Sequence, residues 1–258
     1  MRGFAFTRRM TARRRRALTA AGVILASALI FAAVNSPAFV TASAAARRIP
    51  IYSVERDGKY CSLSFDAAWG NEDTQKLIDI LGAYNVKATF FVVGSWAEKY
   101  PESVKALFDA GHEVMNHSDD HAHFNRLSPA EIESNINACS DKIEAITGVR
   151  PTLFRCPYGE YDDHVVAAVN AMGMEVIQWD VDSLDWKDLD AETIYGRVSS
   201  KAAPGSIVLF HNAALHTPEA LPSIIEYLLQ NGYAVVPVSE LILSGETRTD
   251  HTGRQRPA

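Results

Sequence analysis

Cysteine is scarce in this chain, which has only three among its 258 residues. They stand at Cys61, Cys139 and Cys156, at irregular spacing and without a CxxC pair. An odd, irregular set excludes a disulfide framework and a zinc ribbon, and it favours small buried side chains. Cys156 has no histidine beside it in the sequence, so it is not a candidate nucleophile.

Acidic residues and lysine are absent from the first 46 residues, which hold seven arginines. The whole chain has 25 basic and 31 acidic residues, and all 31 acidic but only 18 basic ones follow residue 46, where the net charge is therefore −13. A segment with this much negative charge would repel phosphates, which argues against nucleic acid as a partner. The hydrophobic fraction of 47% argues against a disordered chain.

The arginine-rich start is followed by an apolar run over residues 17–34 and by the small residues Ala42-Ser43-Ala44. Positive charge, an apolar core and a small-x-small site are the parts of an export signal. The run also reaches the lower length limit for a membrane span, so a cleaved signal peptide and an uncleaved anchor both stay open. We expect residues 1–46 to be one or the other, and the protein to act outside the cytoplasm, secreted or membrane-anchored.

Internal repeats and linkers are lacking between residues 50 and 243, where short β-type runs alternate with helical patterns. Predicted strands cover residues 60–65, 88–93, 113–116, 152–154, 175–179, 206–210 and 233–236. Predicted helices cover residues 71–84, 101–110, 128–147, 162–172, 190–202 and 218–231. This alternation predicts an α/β fold, a distorted seven-stranded (β/α) barrel forming a single domain over residues 47–243. The polar residues 244–258 are expected to be a flexible tail.

Polar side chains gather where the predicted strands end. They are Asp66, His117, His121, Arg155, Asp182, Asp185 and His211. In a parallel barrel these positions share the carboxyl-terminal face, where such folds build active sites. The sequence therefore predicts one cleft that contains them.

His117 and His121 are the sharpest local signal, because a spacing of four places two imidazoles on one side of a helical turn. Both nitrogens could then reach one cation. The alternative is a pair of surface histidines in a polar loop. His123 lies close to the pair and is a weaker candidate.

Five motifs resemble those of the polysaccharide deacetylases, the NodB-homology domains of carbohydrate esterase family 4. They are SFDAAWG at residues 64–70, HSDDH at 117–121, RCPYG at 155–159, DSLDW at 182–186 and LFH at 209–211. The resemblance extends from about residue 58 to residue 240, with all five motifs in order. The Trp-Gly ending of the first motif and the N-terminal apolar segment look most like the branch of spore-forming bacteria.

The resemblance implies a deacetylase that depends on a divalent metal, zinc being expected, held by His117 and His121. Asp66 would be the general base, and Arg155 would keep it ionised. Tyr158 would supply a backbone N–H to the developing oxyanion.

His211 would be the general acid, with Asp185 raising its pKa. Trp186 and Leu209 would line the pocket for the acetyl methyl group, although ordinary core packing is the alternative for both.

One position departs from the family pattern, in which a second aspartate follows the base and completes an Asp-His-His metal site. Ala67 stands there, so the metal is expected to be weakly held unless Asp66, Asp119 or Asp120 compensates. The implied function is hydrolysis of N-acetyl groups of a cell-wall glycan, most plausibly peptidoglycan amino sugars. Two alternatives stay open: a non-catalytic glycan-binding protein of the cell or spore envelope, and an ester deacetylase acting on another polysaccharide.

Overall fold

The computed structural model describes residues 21–29, 31–32 and 47–258. The chain divides into two compact units, Met1–Arg47 and Arg48–Ala258. In the first unit, residues 21–29 and 31–32 are helical, while the arginine cluster and the small-residue site of the predicted export signal lie outside the described residues. Within the described ranges, no helix has both the length and the apolarity needed to cross a bilayer.

The second unit is an α/β domain built around one large sheet. Its strands are β1 (Ser53–Val54), β2 (Tyr60–Ala67), β3 (Thr89–Val92), β4 (Glu113–Asn116), β5 (Leu153–Phe154), β6 (Glu175–Val176), β7 (Val181–Asp182), β8 (Ser206–His211), β9 (Ala234–Val235), β10 (Thr247–Thr249) and β11 (Arg254–Pro257). Its α-helices are Thr74–Ala83, Gly94–Lys99, Pro101–Asp109, Pro129–Thr147, Asp163–Ala171, Ala191–Ser199, Thr217–Gln230 and Val238–Leu241. Short 3₁₀ turns occupy Phe124–Arg126, Pro157–Gly159 and Asp185–Lys187.

The sheet runs in the order β10-β11-β1-β8-β2-β3-β4-β5-β6, with β7 on β8 and β9 on β2. Strands β2 to β6 and β8 pair in parallel, so their carboxyl ends meet on one face. A parallel bridge between Ile51, just before β1, and Ile177, just after β6, joins the two sides of the curled sheet. The α/β single domain is therefore confirmed.

The predicted count of seven barrel strands is not confirmed. All seven predicted strands correspond to observed ones, but β1, β7, β10 and β11 were missed. The seventh predicted strand, over residues 233–236, is only the two-residue β9, which pairs with the beginning of β2. The barrel is consequently an irregular curled sheet.

Residues 244–258, which the sequence predicts to be a flexible tail, contain two strands. Strands β10 and β11 form an antiparallel hairpin, and β11 pairs in parallel with β1. Arg256 makes an ion pair with Asp250 in the turn of the hairpin and another with Glu55, which fixes the hairpin against the start of the domain. Glu55 and β1 are far from the hairpin in the sequence, so local composition gave no sign of this pairing.

The helix boundaries follow from local chemistry. Ser128 accepts a hydrogen bond from the backbone N–H of Glu131, whose carboxylate accepts one from the N–H of Ser128, a complete capping box. The same helix ends at Gly148, whose φ of 77° is readily adopted only without a β-carbon. These signals explain why the helix predicted over residues 128–147 was confirmed almost to the residue.

The core beneath the carboxyl-terminal face is aromatic. Phe65 of β2 stacks on Phe90 of β3 and on Phe210 of β8, with ring centroids 4.8 and 5.3 Å apart. All three are buried, and they hold the central strands in register. Because side chains alternate along a strand, residues beside them point to the other face of the sheet.

Candidate active site

Asp66 lies near the end of β2, directly opposite His211 of β8 in the parallel register of the two strands. Asp66 is 5% exposed. It therefore faces the inside of the curled sheet at its carboxyl-terminal end. The register alone places a carboxylate and an imidazole on adjacent strands of one face, as the sequence predicted.

A buried ion pair orients Asp66. Arg155 is 0% exposed and donates from Nη1 to Asp66 Oδ1 at 2.8 Å. Its Nη2 donates to the hydroxyl of Ser64 and the carbonyl of Gln178, at 2.9 and 3.2 Å. The guanidinium also lies 4.1 Å from the ring centroid of Phe91. These contacts fix the guanidinium, and through it the plane of the carboxylate.

The charges around Asp66 favour its ionised form. Burial alone would raise the pKa of this carboxyl group, but the neighbouring His117 ring, the Arg155 guanidinium and His211 hold the pKa below its usual value. Asp66 Oδ2 lies 3.4 Å from Nε2 of His117. The carboxylate is thus available as a proton acceptor at the floor of the cleft.

His117 follows β4, where Asn116 fixes the turn. The Asn116 amide donates to the carbonyl of Ile136 and to Ser140 Oγ, and its oxygen accepts from the N–H of Ser118. His117 Nδ1 lies 2.9 Å from the carbonyl oxygen of Arg155. Because a carbonyl only accepts, Nδ1 carries the hydrogen, and Nε2 keeps its lone pair.

The segment between His117 and His121 is not the helical turn expected from their spacing. Ser118 and His121 have φ angles of 72° and 58°, in the left-handed region. The two imidazole centroids are nevertheless 5.0 Å apart. Burial, with a smaller contribution from His117, lowers the pKa of His121 to about 4. Burial also lowers the pKa of His117, so both rings are neutral at pH 7.

His211 and Asp185 form the second polar pair. Asp185 is 0% exposed, and its Oδ1 lies 2.8 Å from His211 Nδ1. Its Oδ2 accepts from the His211 N–H and from Thr217 Oγ1. Burial opposes a charge on His211, but the hydrogen bond to Asp185 and the carboxylates of Asp185, Asp66 and Asp182 raise its pKa. His211 is therefore suited to carry a proton.

These groups meet at a cleft of about 440 Å³ on the carboxyl-terminal face. The cleft is lined by Asp66, Trp69, His117, His121, Tyr158, Gly159, Trp179, Asp182, Trp186, Leu209 and His211. Arg155 and Asp185 do not line it; they lie beneath it and act on Asp66 and His211. Leu209 is buried at its wall, while Trp186 is 54% exposed, which excludes core packing for Trp186.

Tyr158 reaches the cleft through a strained turn, with a φ of 59°. Its ring packs edge-on against His121 and stacks on His123, both with centroids 4.4 Å apart. His123 Nδ1 in turn lies 2.9 Å from a carboxylate oxygen of Glu160. His123 therefore supports Tyr158 from outside and does not join the histidine pair.

The donor set fits a divalent metal ion only in part. His117 offers Nε2 with its Nδ1 held by a carbonyl, the usual arrangement behind a metal-bound histidine. His121 offers a second neutral imidazole beside it. Yet the described portion of the chain brings no three histidine, cysteine or acidic side chains into a metal-binding group.

The two aspartates between the histidines do not supply the missing ligand. Asp119 forms an ion pair with Lys142 at 2.8 Å, and Gly94 packs so closely on it that a β-carbon there would lie 2.1 Å from Asp119 Oδ1. Asp120 accepts from the amide of Asn135 at 2.8 Å. Ala67 itself is 1% exposed and belongs to the main apolar core.

Two further residues of this face had no role in the sequence predictions. Trp69 lines the cleft, but the sequence assigned it no role beyond its motif. Its position just after β2 could have indicated one. Asn212, directly after His211, hydrogen-bonds Ala68 and Gly70 and so ties the loop after β8 to the loop after β2. Its position beside a strand-end histidine was the available clue.

The chain is similar in sequence to known proteins. A family model described as polysaccharide deacetylase matches residues 53–177. The peptidoglycan-N-acetylmuramic acid deacetylase PdaC of Bacillus subtilis is 40% identical over 189 residues, covering 73% of this chain and 40% of that protein. A peptidoglycan-N-acetylglucosamine deacetylase of Bacillus cereus is 31% identical over 191 residues, covering 72% of this chain and 70% of that protein.

Among solved structures, BA3943 of Bacillus anthracis, described as a CE4 family pseudoenzyme, superimposes with a TM-score of 0.71 and 37% identity, covering 74% of this chain and 68% of that one. A mutant of it is described as having restored enzymatic activity. The chain thus spans well under half the length of PdaC but most of the other two proteins. With the five motifs, the curled sheet and these similarities together, the chain belongs to the polysaccharide deacetylase family.

Proposed function

We propose that this protein is an extracytoplasmic, metal-dependent deacetylase that hydrolyses N-acetyl groups of a cell-wall glycan, in particular of peptidoglycan amino sugars. The observation that carries the proposal is the pair of buried dyads, Asp66 with Arg155 and His211 with Asp185, aligned on adjacent strands at one cleft. The peptidoglycan deacetylases among its relatives support the substrate class. The arginine-rich, apolar N-terminal sequence supports the location.

Asp66 would act as the general base. Its carboxylate is ionised, oriented by Arg155 and open to the cleft, so it can accept a proton from the attacking water. The Tyr158 N–H would donate to the oxyanion that forms on the acetamide oxygen. A divalent ion, zinc in our proposal, held by His117 and His121 would polarise the same carbonyl and lower the pKa of the water.

His211 would act as the general acid. The Asp185 carboxylate fixes its ring through Nδ1 and stabilises the imidazolium, so Nε2 is left to protonate the departing amine. Trp186 and Leu209 would enclose the acetyl methyl group. Because Thr217 also donates to Asp185, the carboxylate cannot rotate away from the imidazole.

The alkaline limb of the pH profile should depend on Asp185. His211, as the general acid, must be protonated for activity. Its raised pKa keeps it protonated to higher pH, and activity is lost as the pH rises through that pKa. Asp185→Asn removes the charge, so the alkaline limb of kcat against pH should move to lower pH. Asp182→Asn is the matched control, since Asp182 acts on His211 through space and not through a hydrogen bond, and should produce a smaller shift. Equal limbs in wild type and Asp185→Asn would show that Asp185 does not set the pKa of the acid.

A second candidate function is glycan binding without catalysis. Ala67 removes the family's third metal ligand, and a structurally similar relative is described as a pseudoenzyme. The same cleft could then hold an acetylated sugar without cleaving it. The two buried dyads favour the enzyme, because a binding site needs neither a base nor an acid.

Acetate release separates the two candidates. The purified full chain is incubated with N-acetylated peptidoglycan fragments, with zinc or another divalent ion added in excess, and acetate is measured. We expect release that is abolished by a chelator and restored by added metal. Binding of the fragments without any acetate release would support the non-catalytic candidate. Release only from O-acetylated polysaccharides would identify an ester deacetylase.

A further inference from the structure

Trp69 occupies an unusual position at the mouth of the cleft. Its side chain is 58% exposed, although its neighbours in the motif are largely buried. Its ring centroid lies 6.0 Å from that of His121 and 6.4 Å from that of His211. The indole therefore lies close to both histidines and lines the cleft that they share.

The loop that carries Trp69 is fixed on both sides of it. The Ala68 N–H donates to Asn212 Oδ1 at 3.1 Å. The carbonyl of Gly70 accepts from the Asn212 amide and from Trp96 Nε1, the latter at 3.0 Å. Asn212 is 4% exposed, and Trp96 is buried in the core. The exposed indole is thus held in place by its backbone and not by its own burial.

A large ring held in water at a rigid position indicates a surface built for a ligand. Across the cleft, Tyr158 and Trp186 are also more than half exposed. The cleft, at about 440 Å³, has room for much more than an acetyl group. An aromatic face binds the apolar C–H face of a pyranose ring, whose hydroxyls stay in water.

We propose that Trp69 is a sugar-binding platform, on which the indole stacks against a pyranose ring of the glycan next to the sugar being deacetylated. This inference rests on the proposed function, which makes an N-acetylated glycan the ligand. Asn212 is the residue that positions the platform, by bonding both of its neighbours. The platform then makes binding depend on the length of the glycan, because a monosaccharide fills only the reacting position.

Calorimetric titration of the full chain with N-acetylglucosamine and with its tetramer tests the platform. Wild type should bind the tetramer more tightly than the monomer. Trp69→Ala should weaken tetramer binding about tenfold, a change of about 1.4 kcal/mol, and leave monomer binding nearly unchanged. Trp69→Phe keeps a ring and should recover part of the loss. Val149→Ala, which removes an exposed apolar side chain outside the cleft, should bind like wild type.

The outcomes separate the two proposals. Equal tetramer binding by wild type and Trp69→Ala, with both proteins folded by circular dichroism, would overturn the platform and leave the deacetylase proposal standing. Wild type that neither binds the tetramer nor releases acetate from peptidoglycan fragments would overturn the proposed function, and the platform with it. Loss of monomer and tetramer binding alike would also contradict the platform, since it would place Trp69 at the reacting sugar.

Discussion

Asp66→Asn should reduce deacetylase turnover by about 10²–10⁴-fold, the contribution typical of a general base. The amide has the shape of the carboxylate but cannot accept a proton from water. Substrate binding should change far less, because the proposed role of Asp66 is to accept a proton from the attacking water. Steady-state kinetics on acetylated oligosaccharides, with kcat and KM determined separately, measure the effect.

Two controls accompany this variant. Asp66→Asn leaves the buried Arg155 without its partner, so its stability should fall, and kinetics must be recorded well below the melting temperature found by calorimetry. Asp120 lies between His117 and His121, and its carboxylate accepts a hydrogen bond from Asn135. Asp120→Asn should therefore keep wild-type turnover. Wild-type turnover in Asp66→Asn would remove Asp66 from the mechanism.

Ala67→Asp should convert a weak two-histidine site into a three-ligand site. A metal acting as a Lewis acid contributes several kcal/mol, and each 1.36 kcal/mol is a factor of ten in rate, so turnover at limiting zinc should rise by about 10²-fold. Zinc affinity should rise in parallel. Metal titration followed by calorimetry, with acetate release assayed at each zinc concentration, measures both.

The environment of Ala67 makes this a demanding substitution. The side chain lies in an apolar core, and a carboxylate that stayed there without reaching the metal would destabilise the protein. Ala68→Asp is the matched control, because it places the same charge one residue further on, past the end of β2. Equal zinc affinity in folded wild type and Ala67→Asp would show that position 67 has no access to the metal.

The location of the site could be predicted from sequence because it depends on strand ends. Asp66 and His211 each come at the end of a β-type run, and parallel pairing alone brings such ends to one face. Which residues line the cleft and which lie beneath it could not be predicted in this way. Strand position does not distinguish Arg155 and Asp185, which lie beneath the cleft, from Asp66 and His211, which line it.

The features that sequence reasoning missed depend on specific hydrogen bonds, strand pairings and ion pairs, which composition and spacing do not show. The turn between His117 and His121 takes left-handed angles because Asn116 and Ser118 supply side-chain hydrogen bonds, whereas spacing alone suggested a helix. The hairpin of β10 and β11 has few apolar residues and no alternating pattern. Its stability comes from pairing with β1 and from ion pairs to Glu55 and Asp250.

The pairing of β1 with β11 also sets an order of events in folding. Glu55 and Arg256 lie 201 residues apart, so this edge of the sheet cannot be completed until β11 has been synthesised. Contacts between distant residues form slowly, and meanwhile the outer edge of β1 is an unpaired strand edge on which other chains can associate. Strands β10 and β11 therefore cover the edge of β1 late and leave β10 as the outer strand of the sheet.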